Sequence, residues 1–171
     1  MNKGDEQMHE RENQEARSLS RKDGQMAVIE AISTLLSSQS LAVLATHSRG
    51  QPYTSLVAVA PAPKLTDLFF ATTRATRKFA NLSADPRAAL LIDSRSNSEM
   101  DFKDAEAVTA VGKVREADKS GKEPFLDIYI TKHPHLEEFV RSPTCAFLRL
   151  EVEAYYFVRR FQEVMEWRPI P

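Results

Sequence analysis

The run LFFATTRATRKFANLSADPRAALLID, from Leu68 to Asp93, decides how this chain is read. Leu68, Phe69 and Phe70 suit a buried strand, and the run of apolar bulk stops where Thr72 and Thr73 bring hydroxyls. With Thr73 as N-cap, helical spacing predicts Ala75, Phe79 and Leu82 on a core-facing side. Arg74, Arg77, Lys78 and Asn81 then lie on the other faces, the cations free to meet a ligand. Asp85 precedes Pro86 and is pushed out of helical dihedrals, which ends the helix and lets Arg87 to Ile92 begin a strand. The segment therefore predicts strand, polar turn, short helix, strand.

The turn carries the chemistry. A helix N-terminus presents unpaired N–H groups and a partial positive charge. Thr72 and Thr76 add hydroxyls, and Arg77 and Lys78 add two cations, so a phosphate monoester fits. A solvated cationic helix face has the same composition, and spacing alone leaves both readings open.

Outward from this run, Met26, Ile29, Ile32, Leu35 and Leu36 recur at the spacing of an amphipathic helix that packs on a sheet. Leu41 to Thr46 and Tyr53 to Ala60 read as strands joined by the turn HSRGQP, and APAPKLTD as a proline-marked connection. Ser94 to Phe102 is a polar loop, and Ala105 to Arg115 a strand with Gly112 at a bulge or close approach. Ala117 to Ser142 is helical material interrupted at Pro124 and Pro134. Cys145 to Glu153, Tyr155 to Phe161 and Val164 to Trp167 give three more strands. Connections this short favour a mainly β architecture with flanking helices, an antiparallel barrel of about six to seven strands, over a parallel α/β sheet.

At 171 residues, with 42% hydrophobic and 27% charged, the chain suits one core. Met1 to Gly24 is charged and nearly devoid of bulky apolar residues, predicting a mobile arm before a single domain over 25–171. A net charge of −1 supplies no global field for nucleic acid or anionic lipid. Cys145 is the only cysteine, which excludes an internal disulfide framework. No run approaches a membrane span and no apolar signal core opens the chain, so a cytoplasmic protein is expected.

GQPYTSLVAVA followed by FATTRATRKFANLSADPRAALLID resembles the FMN-binding split-barrel family typified by pyridoxamine 5'-phosphate oxidase. The shared pattern is a G-x-P strand, an aromatic-T-x3-[ST]-R-K segment and an N-P-R strand, matched closely over about a quarter of the chain. The resemblance implies a split antiparallel barrel with FMN as cofactor, its phosphate held by Thr72, Thr76, Arg77 and Lys78 beside Thr73. It also implies that the backbone of Ser55, Leu56 and Val57, with Thr54, lies along the flavin ring. Where the oxidase strand carries an Arg and a Lys this chain has Ser55 and Ala60, and the C-terminal R-L-H-D-R segment that grips the oxidase's substrate has no counterpart. The implied protein is an oxidase-related flavoprotein acting on an unidentified small molecule. A haem-handling or deazaflavin-using relative is the alternative, and a flavin carrier or sensor without turnover a third.

The resemblance further implies a homodimer with each cofactor site at the subunit interface. Tyr155, Tyr156, Phe157, Phe161 and Trp167 crowd the last strands, more aromatic area than a small barrel covers. In such a dimer Ser94 and Arg95, opening the DSRSNSEMDF segment, and Trp167 would reach the cofactor of the other subunit. Cys145 reads as a small buried hydrophobe, His47 as a turn residue, and His133 and His135 as loop histidines rather than metal ligands. No nucleophile triad, glycine-rich nucleotide loop or paired-carboxylate motif stands out, so any catalysis rests on a bound cofactor.

Overall fold

The computed structural model describes residues 23–120, 124–160 and 163–170. Residues 1–22 of the expected arm lie outside these, whereas Asp23 and Gly24 are already helical, so the helical segment α1, residues 23–38, reaches further toward the N-terminus than its apolar period indicates. Among the described residues seven strands follow: β1 Leu41–Ser48, β2 Gln51–Pro61, β3 Asp67–Thr73, β4 Arg87–Asp93, β5 Ala107–Glu116, β6 Cys145–Arg159 and β7 Glu163–Trp167. Helix α2, Arg77–Ala84, joins β3 to β4. The loop after β4 ends in the short helix α3, Asp101–Asp104, and β5 is linked to β6 through α4, Phe125–Lys132, and α5, Glu137–Arg141.

All pairings are antiparallel, in the order β3-β2-β1-β4-β5-β6-β7, and a further β3–β6 ladder closes the first six strands into a barrel. β7 extends β6 outside the closure. The interior gathers Leu44, Val59, Phe70, Leu90, Ile92, Val108, Leu150 and Phe157, and α1 adds Ile32, Leu35 and Leu36. A second core lies against the barrel wall, where Phe69, Ala71 and Phe147 meet Leu126 and Tyr129 of α4 and Val140 of α5. Alternate residues of one strand thus serve two cores, which is why β3 and the first half of β6 are apolar on both faces.

Cys145–Arg159 is one strand where the sequence predicts two. Val111 pairs with Ala154 and Gly112 with Val152, so Glu153 is the extra residue of a bulge that bends β6 without ending it. The first half of β6 can then pair with β3 and the second with β7. Gly112 is required here, because a Cβ at this position would collide with the carbonyl of Glu151.

Tyr155 and Phe157 are fully buried in the barrel core, and Trp167 stacks on Tyr155 with ring centroids 5.5 Å apart. The aromatic cluster is therefore largely absorbed within the chain; Phe161 lies outside the described residues. None of the described helices is long and apolar enough to cross a membrane.

β2 and β3 pair only over Val59 to Pro61 against Leu68 to Phe70. Beyond that point they diverge: residues 51–58 of β2 pair with β1 alone, and Ala71 to Thr73 of β3 pair with β6 alone. Helix α2 packs beside β1 and β2 at this split.

Candidate functional site

The predicted polar turn is present but begins its helix three residues later than expected. Thr73 stays in β3, paired with Cys145, and the Arg74 amide donates to the Thr144 carbonyl at 3.0 Å. Thr76, with extended backbone, is the N-cap instead, its Oγ1 accepting from the Phe79 amide at 3.4 Å. Strand pairing to β6 outweighs the capping preference of Thr73. As a result Ala75 is exposed in the turn instead of facing the core, while Leu82 is buried and Phe79 packs against the barrel core as predicted.

Arg74, a cation expected to be free, is not, and Asn81, expected off the core-facing side, turns inward. Arg74 is held by two hydrogen bonds to the Glu116 carboxylate, which raises its pKa, and its guanidinium lies over the Phe79 ring. Asn81 is buried, donating from Nδ2 to Thr46 Oγ1 at 3.0 Å.

What remains is compact. The Thr72 and Thr76 hydroxyls are 3.0 Å apart, and that of Thr76 donates to the Thr73 carbonyl at 2.9 Å. Arg77 is exposed, its guanidinium 5.4 Å from the Tyr53 ring centroid. Lys78 is half-buried, and its Nζ donates to the Leu56 carbonyl at 3.0 Å. Burial pushes its ammonium below the ordinary lysine value.

That contact defines the exposed edge of β2. In an antiparallel strand the N–H and C=O of one residue point the same way and alternate along the chain. Because the Leu56 carbonyl points to α2, the backbone groups of Leu56 and Thr54 face the split, where no described strand pairs with them, and those of Ser55 and Val57 face β1. The Thr54 and Leu56 side chains are exposed, Leu56 at 62%, while the Val57 side chain is in the core. Ser55, opposite buried Leu44, leaves its Oγ buried with no hydrogen-bond partner.

The chain therefore brings Thr72, Thr73, Thr76, Arg77 and Lys78 together with the edge of Thr54 to Val57. Ser94 and Arg95 lie elsewhere, at the end of β4 remote from α2: Ser94 is bonded to Glu106 and Arg95 to Asp93. Trp167 lies on β7, lining a separate cleft with Gly24, Gln25 and Val28 of α1. Within one chain neither group joins the cluster.

The other candidates take structural roles. Nε2 of His47 lies 3.1 Å from Asp85, which follows α2 and also takes the Arg87 guanidinium; the Arg87 bonds hold its carboxyl well below the usual range. His133 is buried with Nε2 2.9 Å from the Val59 carbonyl, and no cluster of three metal-ligating side chains occurs among the described residues. Cys145 is fully buried, and burial raises its thiol pKa. Sequence reasoning missed the polar link from Asn81 to Thr46. The only available signal was an amide one residue before the core-facing Leu82.

A phosphorylated, planar ligand fits this geometry. Hydroxyls and cations collect at the start of α2, next to a strand edge whose backbone donors and acceptors have no ladder partner.

Comparisons with known proteins agree with the fold. No curated protein sequence matches the chain. Among solved structures, a heme binding protein from Mycobacterium smegmatis superposes with a TM-score of 0.70 at 17% identity, over 79% of this chain and 55% of that one, so the chain spans about half its length. Campylobacter jejuni ChuZ gives a TM-score of 0.69 at 12% identity, over 84% of this chain and 60% of that one. An FAD-binding protein from Mesorhizobium loti gives 0.62 at 18% identity, over 75% and 90%. At these identities the likeness is one of fold. The family model for pyridoxamine 5'-phosphate oxidase matches residues 28–159, most of the described barrel, and the chain belongs to that family.

Proposed function

We propose that the protein binds FMN at the split between β2 and β3 and acts as an oxidoreductase on a small molecule. The observation that carries this reading is the unpaired edge of β2 at Thr54 and Leu56, bridged by Lys78 to the hydroxyl and cation cluster of α2. Thr72, Thr76, Arg77 and Lys78 would hold the phosphate, and the β2 edge would meet the polar rim of the ring. FMN, when bound, supplies the redox chemistry. The protein's share is to anchor the phosphate, orient the ring and exclude water from the side against the barrel.

The reading includes a two-fold homodimer. Its support is an apolar outer face in which Leu56 lies beside Val43 and Val43 beside Leu91, with Leu41 and Leu56 exposed at 56% and 62%. A second copy would cover this face and close the cofactor site, with Ser94, Arg95 or Trp167 supplied across the interface. Haem is the second reading, favoured by the likeness to the Mycobacterium smegmatis protein.

Absorption of the purified protein, before and after incubation with FMN, tests the cofactor. Flavin bands, with FMN released on denaturation and identified by mass, are expected. A Soret band would establish haem instead, and neither would overturn both readings. Reduction of the bound flavin by candidate donors, followed by reoxidation with acceptors, separates an enzyme from a carrier.

A further inference from the structure

Asn81 is a buried amide at 6% exposure on a helix that otherwise packs through Phe79 and Leu82. Its Nδ2 donates to Oγ1 of Thr46, itself 5% exposed, and that hydroxyl lies 3.4 Å from the Tyr53 carbonyl. The link therefore ties α2 to both β1 and β2, across a separation of 35 residues.

Asn81 stands four residues after Arg77 and three after Lys78, so all three share one side of α2, the amide one turn below the two cations. On that side the cations touch β2 only through adjustable contacts: the long Lys78 chain to the Leu56 carbonyl, and Arg77 over the Tyr53 ring. Apolar packing of Phe79 and Leu82 tolerates rotation and sliding of the helix, because it has no preferred direction. A buried hydrogen bond does not, since displacement would leave a desolvated donor unpaired.

We infer that Asn81, through Thr46, is a positioning residue that fixes the rotation of α2 and so aims Arg77 and Lys78 at the phosphate of the ligand. The inference rests on the FMN reading and adds to it a residue that does not touch the ligand. Asn81→Leu keeps the volume and removes the bond. Thr46→Val does so from the other side, with an isosteric side chain. The double variant replaces both partners by apolar groups, which restores satisfaction of the core without restoring direction.

The test measures dissociation constants for FMN and for riboflavin, and the melting temperature of the ligand-free protein, in the wild type and the three variants. Expected are an FMN affinity weakened about tenfold in Asn81→Leu and in Thr46→Val, with riboflavin unchanged within about twofold. The double variant should recover the melting temperature but not the FMN affinity. Equal weakening for both ligands, or recovery of FMN affinity together with the melting temperature, would overturn the inference and leave the FMN reading intact. If Asn81→Leu does not fold, Thr46→Val decides alone: FMN weakened with riboflavin unchanged supports the inference, and equal weakening of both or no weakening of FMN overturns it. Wild-type protein that binds neither ligand would overturn the FMN reading and this inference with it.

Discussion

Lys78 is drawn away from water by the split between β2 and β3, and its charge is only partly offset by the Leu56 carbonyl. A phosphate dianion at the start of α2 would supply what is missing. Arg77→Ala combined with Lys78→Ala should therefore weaken FMN by about 3 kcal/mol while riboflavin, lacking the phosphate, loses little; titration of both ligands checks this. The lowered pKa gives a pH dependence with a definite sign. Binding favours the charged amine, so FMN affinity should fall as pH rises, starting below the ordinary lysine value, and Lys78→Arg should move that fall to higher pH. The proposed reading also bears on substrate choice at single positions. By the resemblance, Ser55 and Ala60 stand where the oxidase carries Arg and Lys; neither brings a cation to a second phosphate, and Ala60 is fully buried in the wall core. Pyridoxamine 5'-phosphate should not be oxidised at a useful rate, and stoichiometric aldehyde formation with steady turnover would contradict this.

Elements were legible in the sequence where local chemistry and tertiary pairing agree. Asp85-Pro86 closes α2 as read, because dihedral restriction before proline is local, and β4 starts at Arg87 as expected. The start of α2 was misplaced because Thr73 and Thr76 are equally good caps in isolation. The choice is made by β6, whose Cys145 pairs with Thr73 from 72 residues further along the chain. The same distance effect hid Glu116, the partner of Arg74, and Thr46, the partner of Asn81. β6 was divided in two because a bulge at Glu153 shifts the alternation, which sequence alone cannot tell from a strand end. Gly112 did carry its own signal, and it yields a prediction at this scale. Gly112→Ala would press a methyl onto the Glu151 carbonyl and part β5 from β6 at the bulge, destabilising by on the order of 3 kcal/mol. A denaturant midpoint that did not move would show that the ladder gives way freely there.

At the scale of the whole molecule, the barrel closes through β3 and β6 yet leaves β2 half unpaired, and its outer wall carries Leu41, Val43, Leu56 and Leu91 over the middle of β1, β2 and β4. Of the expected aromatic anchors, Tyr155 and Phe157 belong to the barrel core, while Tyr156 and Trp167 stay partly exposed. The aliphatic row of Leu56, Val43 and Leu91 is the surface on which the proposed dimer would rest, and it adjoins the strand edge at which the cofactor is proposed to lie. A partner subunit covering the row would also cover one side of the ligand, so dimerisation and binding should be linked, each strengthening the other by the same factor. Leu56→Glu places a charge on the row without altering the backbone that faces α2, because a strand residue's side chain and its peptide groups point in different directions. It should shift the protein toward monomer and weaken FMN in parallel, whereas in the wild type dilution should release FMN and added FMN should hold the dimer together. Light scattering combined with flavin fluorescence, recorded over a dilution series, checks both. A monomer that remains saturated with FMN would sever assembly from cofactor binding and return the whole site to a single chain.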